Sequence, residues 1–150
     1  MKIRISLIGL FFLLAVLPSK ASEPDYMALM AHDSEIKAIA TVSQVRQMSG
    51  NRDGTFTRVS FKRVYAVTPY TPKTFVGACK ILNYAWQKRS KDIIYIKPKV
   101  GQKVYVTVSS NGGAITSFTR LTPELDYAVR KEPFRVEYTH GRAVLLPPIE

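Results

Sequence analysis

The sequence predicts a mainly β protein, a small antiparallel barrel or strongly curved sheet of five to six strands. Three observations favour this fold class. Apolar and polar residues alternate with a period of two in several segments, glycine-rich turn clusters separate these segments, and helical and strand patterns do not alternate along the chain. A short N-terminal helix and one late helix, at about residues 122–131, complete the prediction.

The first residues predict an export signal. A basic start, an uncharged apolar run from Ile5 to Leu17 and small residues just before Ser22 form the three-part pattern of a secretory leader. The apolar run is shorter than the ~20 residues that a helix needs to cross a bilayer, so an uncleaved anchor is the less favoured alternative. We therefore expect a signal peptide over residues 1–21 and a periplasmic or secreted mature chain. Residues 22–150 would form a single domain, with a C-terminal hairpin and tail from about 132.

Charge and cysteine content restrict the partners and the source of stability. The chain carries 22 Lys and Arg residues against 11 Asp and Glu residues, a net charge of +11. Residues 1–21 hold three of the basic residues and no acid, which leaves 19 minus 11, or +8, on the mature chain. This balance favours an anionic polymer or an acidic protein as partner. The single cysteine cannot form an intrachain disulfide, so packing must supply the stability.

The first half of the mature chain reads as a helix followed by three strands. Apolar residues three and four apart predict the helix over residues 23–32, and the alternation Ile36 to Val42 predicts the first strand. The cluster at 49–54 predicts a turn into a second strand, whose apolar face carries residues 59, 61, 65 and 67. Two prolines then interrupt the pattern. Phe75 to Tyr84 is apolar on both faces, which predicts a strand covered on both sides.

The second half adds a hairpin, a helix and a smaller hairpin. A charged loop at 87–92 and a short strand at 93–96 precede "KVYVTVSSNGGAITSF", where Asn111 to Gly113 predict a tight hairpin turn. Thr122 is the predicted N-cap of the late helix and Pro123 its first residue, and Pro133 ends the helical pattern. Residues 134–146 predict a terminal hairpin around "THGR".

The order of these segments resembles that of a known family. "SEIKAIATVSQV", "TRVSFKRVYAV", "KTFVGACKI", "VGQKVYVTVSSNGGAITSF" and "LTPELDYAV" resemble, over roughly residues 34–131, the netrin-like domain shared with the tissue inhibitors of metalloproteinases. The resemblance implies an OB-type barrel with a helix before the strands and another after them. The inhibitory N-terminal cysteine and the disulfides of that family have no matching residues here, since the predicted mature start is Ser22 and only Cys79 exists. Inhibition is therefore not carried over.

Residues that could perform catalysis are few. A cysteine nucleophile needs a nearby base, and the chain has only His32 and His140, so Cys79 is predicted to be a core residue rather than a nucleophile or an interchain disulfide partner. "HDSE" offers His32, Asp33 and Glu35, but neighbouring residues on a strand face opposite ways, which favours a solvated segment or a helix end over a metal site. We expect no catalytic residue, no metal and no cofactor.

The basic, aromatic region after Cys79 is the remaining candidate site. Seven Lys and Arg residues lie from Lys80 to Lys103, interleaved with Tyr84, Trp86, Tyr95 and Tyr105. One acid, Asp92, interrupts it, and such a composition on an OB-type barrel can follow an anionic chain by charge while rings stack on its bases or sugars. The alternative is a solvated loop that hides the tryptophan in the core. The sequence thus predicts an exported non-catalytic binding module. It binds either a polyanion (envelope glycan, lipid head group or extracellular nucleic acid) or a protein partner, as an inhibitor would. The predicted binding residues are Lys80, Tyr84, Trp86, Lys88, Arg89, Lys91, Lys97, Lys99 and Lys103.

Overall fold

The computed structural model of the protein describes residues 25–91 and 93–148. The predicted signal peptide and its cleavage site lie outside these residues. Within them, no helix has both the length and the apolar character that crossing a bilayer requires.

The described chain is mainly β, as predicted. Its elements are α1 (Tyr26–His32), β1 (Ile36–Asn51), β2 (Gly54–Ala66), β3 (Thr74–Ile81), β4 (Lys103–Val108), β5 (Ile115–Arg120), α2 (Pro123–Lys131), a 3₁₀ turn (Pro133–Arg135), β6 (Val136–Thr139) and β7 (Arg142–Leu145). Five strands form one antiparallel sheet in the order β3-β2-β1-β4-β5, and β6 and β7 form a separate two-stranded sheet. The two helices, the Asn-Gly-Gly hairpin and the terminal hairpin all lie where the sequence predicts them.

The two edges of the five-stranded sheet approach each other. Ala78 of β3 forms a parallel bridge with Ala114, which immediately precedes β5. The Ala78 backbone N–H donates to the carbonyl of Gly113 (2.9 Å), and the Gly112 N–H donates to the carbonyl of Val76 (2.7 Å). We call this contact the seam.

The long β1–β2 hairpin is bent by irregular pairing. Ser43 in β1 and Val64 in β2 have no partner in the ladder, where the register shifts by one residue. An extra residue of this kind bends the strand and increases its twist. The hairpin therefore curves, and one face of the sheet encloses the core while β1 pairs with both β2 and β4.

The main core lies on the enclosed face. Alternate residues of the strands point into it, as the period-two pattern predicts, and Phe61 stacks on Phe75 with ring centroids 5.0 Å apart. Its largest fully buried side chains are Phe61, Phe75, Val42, Val59, Val104, Val106 and Val108.

A second, smaller core lies on the other face of the sheet. Ile39 and Tyr105 pack there against Leu125 and Val129 of α2 and Ala143 of β7. Tyr105, an aromatic residue of the basic region, is only 2% exposed because α2 and the β6–β7 hairpin cover this face. The alternation in the sequence did not reveal this second core.

Two predicted details of the strands are wrong, and one predicted turn is confirmed but narrower. β3 ends at Ile81, and its face bearing Val76 and Ala78 is only half-buried, because β3 is an edge of the main sheet and not a doubly covered central strand. Residues 93–96 do not form a strand; Tyr95 makes one isolated bridge to Lys80. The predicted turn at 49–54 is narrower, since β1 extends to Asn51 and β2 begins at Gly54.

Candidate anion-binding cleft

A cleft of about 800 Å³ opens between the segment 89–97 and the turn that joins β6 to β7. We call it the basic cleft. The described residues that line it include no carboxylate, and Asp92 lies outside the described residues. Its basic lining residues are Arg89, Lys91, Lys97, Arg120 and Arg142, together with His140.

Pairing between β5 and the β6–β7 turn brings Arg120 and Arg142 to the cleft. The Phe118 N–H donates to the carbonyl of Gly141 (3.0 Å), and the Ala143 N–H donates to Thr119 Oγ1 (2.7 Å). Arg120 is the last residue of β5 and Arg142 the first of β7, so each arginine lies one residue beyond one of these contacts. Two strand ends that are distant in sequence thus line the same cleft.

The segment that carries Arg89 and Lys91 is held on the tip of the β1–β2 hairpin. The Tyr95 hydroxyl donates to the carbonyl of Asp53 (2.6 Å) and accepts from the Ser90 N–H (2.8 Å). The Ser90 hydroxyl donates to Asp53 Oδ1 (2.8 Å). The Arg89 guanidinium lies over the Tyr95 ring, 5.2 Å from its centroid, a cation–π contact. Tyr95 therefore positions the basic segment.

The glycine at the β6–β7 turn lets the opposite wall approach. Gly141 has φ +80°, which favours glycine, and a Cβ at this position would be 2.9 Å from Cγ1 of Ile94. Ile94 therefore packs directly on the turn, and any other residue at position 141 would push the two walls apart.

The predicted aromatic residues Tyr84 and Trp86 form an exposed pair beside this segment. Their rings are nearly parallel, with an interplanar angle of 9° and centroids 5.9 Å apart, and they are 58% and 57% exposed. The buried Gln87 side chain holds the turn: Oε1 accepts from the N–H groups of Asn83 (2.8 Å) and Tyr84 (3.2 Å), and Nε2 donates to Thr55 Oγ1 (3.0 Å). The alternative that the tryptophan is hidden in the core is wrong.

An apolar depression of about 230 Å³ adjoins the basic cleft and lies over the seam. We call it the apolar groove. It shares Met27, Ile93 and Ile94 with the basic cleft, so these side chains lie at the boundary of the two cavities. Its other lining residues are Met30, Phe56, Ala78, Cys79, Lys80, Ala114 and Ile115.

Asp25 fixes α1, and with it Met27, against the cleft. Its Oδ1 accepts from the Ala28 N–H (3.0 Å) as the N-cap of α1, and its Oδ2 accepts from the His140 N–H (3.1 Å). The Ala28 N–H is the largest of the effects that lower the pKa of this carboxyl, and the His140 N–H adds to it. One side chain thus joins the helix to the β6–β7 turn.

Cys79 is buried, and the "HDSE" segment lies at the end of α1. Cys79 is 8% exposed, and burial raises the pKa of its thiol to about 12, so it is protonated at neutral pH. The prediction of a core cysteine is confirmed. His32 ends α1 and hydrogen-bonds Asp33 at 3.3 Å, which confirms the helix-end interpretation. Within residues 25–91 and 93–148, no three His, Cys, Asp or Glu side chains group as metal ligands would.

The nine predicted binding residues divide among several places. Three of them, Arg89, Lys91 and Lys97, line the basic cleft, and Lys80 lines the apolar groove. Tyr84 and Trp86 form the exposed pair. Exposed positions outside both cavities are occupied by Lys88, Lys99 and Lys103.

The sequence reasoning missed Arg120, His140 and Arg142. Each is a basic residue outside the dense charge run of 80–103, and no local pattern connects them to it. Only the pairing of β5 with the β6–β7 turn brings them to the cleft.

Comparisons of the chain with protein-family models, with curated proteins and with solved structures each find no match.

Proposed function

We propose that this protein is an exported, non-catalytic binding module that holds an anionic ligand in the basic cleft. The observation that carries the proposal is the convergence of five Lys and Arg side chains on one cleft whose described lining contains no carboxylate. Like charges that line one cavity repel one another, and an anion that enters relieves this repulsion. Arginine also binds phosphate, sulfate and carboxylate groups through two parallel hydrogen bonds.

We also propose that the five-stranded sheet is an OB-like barrel. The strand order, the shared pairing of β1 with β2 and β4, and the parallel bridge between Ala78 and Ala114 support it, because an OB fold is a five-stranded, partly open barrel. The netrin-like resemblance remains a prediction on which the proposed function does not depend. OB folds bind ligands on the face of strands 2 and 3 and on adjacent loops, so that face is the natural rival to the basic cleft.

The non-catalytic part of the proposal is supported by the chemistry of the potential nucleophile. Burial raises the pKa of Cys79 to about 12, the opposite of what thiolate catalysis needs. Export is supported by the leader pattern of residues 1–21.

Charge reversal in the cleft tests the proposal against a matched control. In the double variant Arg120→Glu/Arg142→Glu, two of the five cleft cations become anions. The control, Arg58→Glu/Lys62→Glu, changes the net charge by the same amount on exposed positions of β2. We expect the first variant to elute from a heparin column at much lower salt than the wild type, and the control to elute close to the wild type.

The number of cations in the cleft sets how steeply affinity should fall as salt rises. If all five cations contact the polyanion and each contributes a slope of about 0.7, log K falls with log salt with a slope of about −3.5. Affinity then drops about 100-fold between roughly 50 and 200 mM salt, whereas the three cations of the double variant give a drop of about 20-fold. Equal weakening by both double variants would refute the cleft as the site, because net charge alone would then explain the binding.

Docking of a protein partner is a second candidate function, favoured by the exposed Tyr84–Trp86 pair. Tryptophan and tyrosine are enriched among the residues that dominate the energy of protein interfaces, and the buried Gln87 amide holds this pair in place. A partner of this kind should remain bound at high salt, be lost in Trp86→Ala and be retained by Arg120→Glu/Arg142→Glu. The opposite pattern identifies the anionic ligand.

A further inference from the structure

The basic cleft and the apolar groove are adjacent cavities that share part of their lining. Met27, Ile93 and Ile94 line both cavities, one of which carries the five cations while the other lies over the seam. We propose that the ligand is a single-chain anionic amphiphile, with its head group in the basic cleft and its alkyl chain in the apolar groove. This inference rests on the proposed function and names the chemical class of its ligand.

The groove is suited to a hydrocarbon chain by the size of the residues on its floor. Ala78 and Ala114 meet at the seam, where their methyl groups leave space that larger side chains would fill. Lys80 also lines the groove, and its ammonium group donates to Asn51 Oδ1 at 3.4 Å, so its aliphatic stem is the part suited to contact a hydrocarbon chain. The lining of the groove over the seam is therefore mainly apolar.

The side chains around the rim leave apolar surface in contact with water. Met30 is 50% exposed and Phe56 is 39% exposed, and both face the groove. Methionine adapts its shape to what it contacts, so Met27 and Met30 of α1 can close over a flexible chain. Each methylene that leaves water here should strengthen binding up to about fourfold.

Charge favours an anionic amphiphile over the leader segment or a second copy of the protein as the molecule that covers the apolar groove. The leader segment 1–21 carries three basic residues and no acid, and a second copy of the mature chain carries +8, so the cleft repels both. The volume of the groove, about 230 Å³, is much smaller than that of the basic cleft, about 800 Å³. These volumes suit one alkyl chain beside a larger head group. The site is also concave, and therefore suits a separate amphiphile better than a flat bilayer surface.

A series of alkyl phosphates tests the inference directly. Inorganic phosphate and butyl, hexyl and octyl phosphate, each below its micelle concentration, are titrated calorimetrically into the purified protein, whose N-terminus is determined by mass spectrometry. We expect Kd to fall with each added methylene, by up to about fourfold, until the groove is filled. Octanol and octyltrimethylammonium, which lack an anionic head, should bind at least tenfold more weakly than octyl phosphate.

Two variants at the groove and one matched control test whether the alkyl chain of the ligand binds in the apolar groove. Ala114→Phe fills the groove and should abolish the dependence on chain length while leaving the Kd for inorganic phosphate unchanged. Ala85→Phe makes the same change at an exposed alanine outside both cavities and should behave as the wild type. Met30→Asp places a negative charge at the exposed rim and should also abolish the dependence on chain length, which provides the test if Ala114→Phe does not fold.

The outcomes separate this inference from the proposed function. Equal Kd values for inorganic phosphate and octyl phosphate would overturn the amphiphile and leave the anion-binding cleft intact. Failure to bind heparin, inorganic phosphate and every alkyl phosphate would overturn both. Binding to phosphatidylglycerol vesicles without binding to monomeric octyl phosphate would replace the amphiphile with a membrane surface.

Discussion

Gly77→Ala tests whether β3 and β5 are packed together at the seam. A Cβ on Gly77 would overlap Cγ1 of Ile115, lie 3.1 Å from its Cδ1 and lie 3.4 Å from Cγ1 of Val108. Ile115 is buried and β-branched, so its χ1 has little freedom to move aside. Overpacking of this kind costs about 1–3 kcal/mol, and replacing a strand glycine recovers about 0.5–1 kcal/mol. The difference is a fall in the free energy of unfolding of up to about 2.5 kcal/mol.

A double-mutant cycle assigns that loss to the seam. Ile115→Ala alone should cost about 2–5 kcal/mol, since it leaves a cavity in the main core. The double variant Gly77→Ala/Ile115→Ala should be about 1–3 kcal/mol more stable than the sum of the single effects, because the new methyl group occupies part of that cavity. Urea unfolding measures the free energy of unfolding of all four proteins, and an unchanged m-value makes these free energies comparable. A coupling energy near zero would refute close packing of β3 against β5.

Two further predictions concern Asp25 and Cys79. Asp25→Ala removes the N-cap of α1 and the contact with the His140 N–H, and should lower the free energy of unfolding by about 1 kcal/mol at pH 7, whereas Asp25→Asn should lose less. Because folding lowers the pKa of this carboxyl, its contribution is complete above about pH 4 and is lost as the pH falls through the folded value. The wild type and Asp25→Ala should therefore converge in stability in acid, and a constant difference would contradict this. Cys79 should react with a thiol reagent at pH 8 more than about 100-fold more slowly in the native protein than in urea, because burial raises its pKa to about 12. Fast labelling of the native protein would contradict its burial.

The secondary structure was predictable wherever local chemistry determines it. Thr122 does cap α2, accepting from the Leu125 N–H at 3.1 Å, and Asn111 to Gly113 do form the turn before β5, with Gly112 at φ +89°. Caps and tight turns depend on a few neighbouring residues, so the sequence carries their full signal. The alternation on β2 likewise identifies the face that bears Val59 and Phe61. Tyr65 and Val67, predicted on the same face, pack against the second core instead, because the extra residue Val64 reverses the alternation.

The predictions that failed depend on what covers a residue. Trp86 was a candidate for the core and is exposed, while Tyr105 belongs to the basic region and is buried beneath α2. Tyr105 stands between Val104 and Val106 in an alternating strand, and the alternation does not say whether its face of the sheet is covered. Burial was decided by elements that come later in the chain or, for Trp86, by a turn that buries the Gln87 amide and leaves the ring outside.

The amino-acid sequence alone was enough to indicate a mainly β chain with two helices, a strongly basic balance, a core cysteine and a dense charge run after it. It could not assemble the basic cleft, because Arg89 belongs to one loop and Arg120 and Arg142 to two separate strands. Strand ladders connect residues at any separation along the chain, so a site built from strand ends has no local signature. The tertiary structure alone brought these charges together and placed an apolar groove beside them.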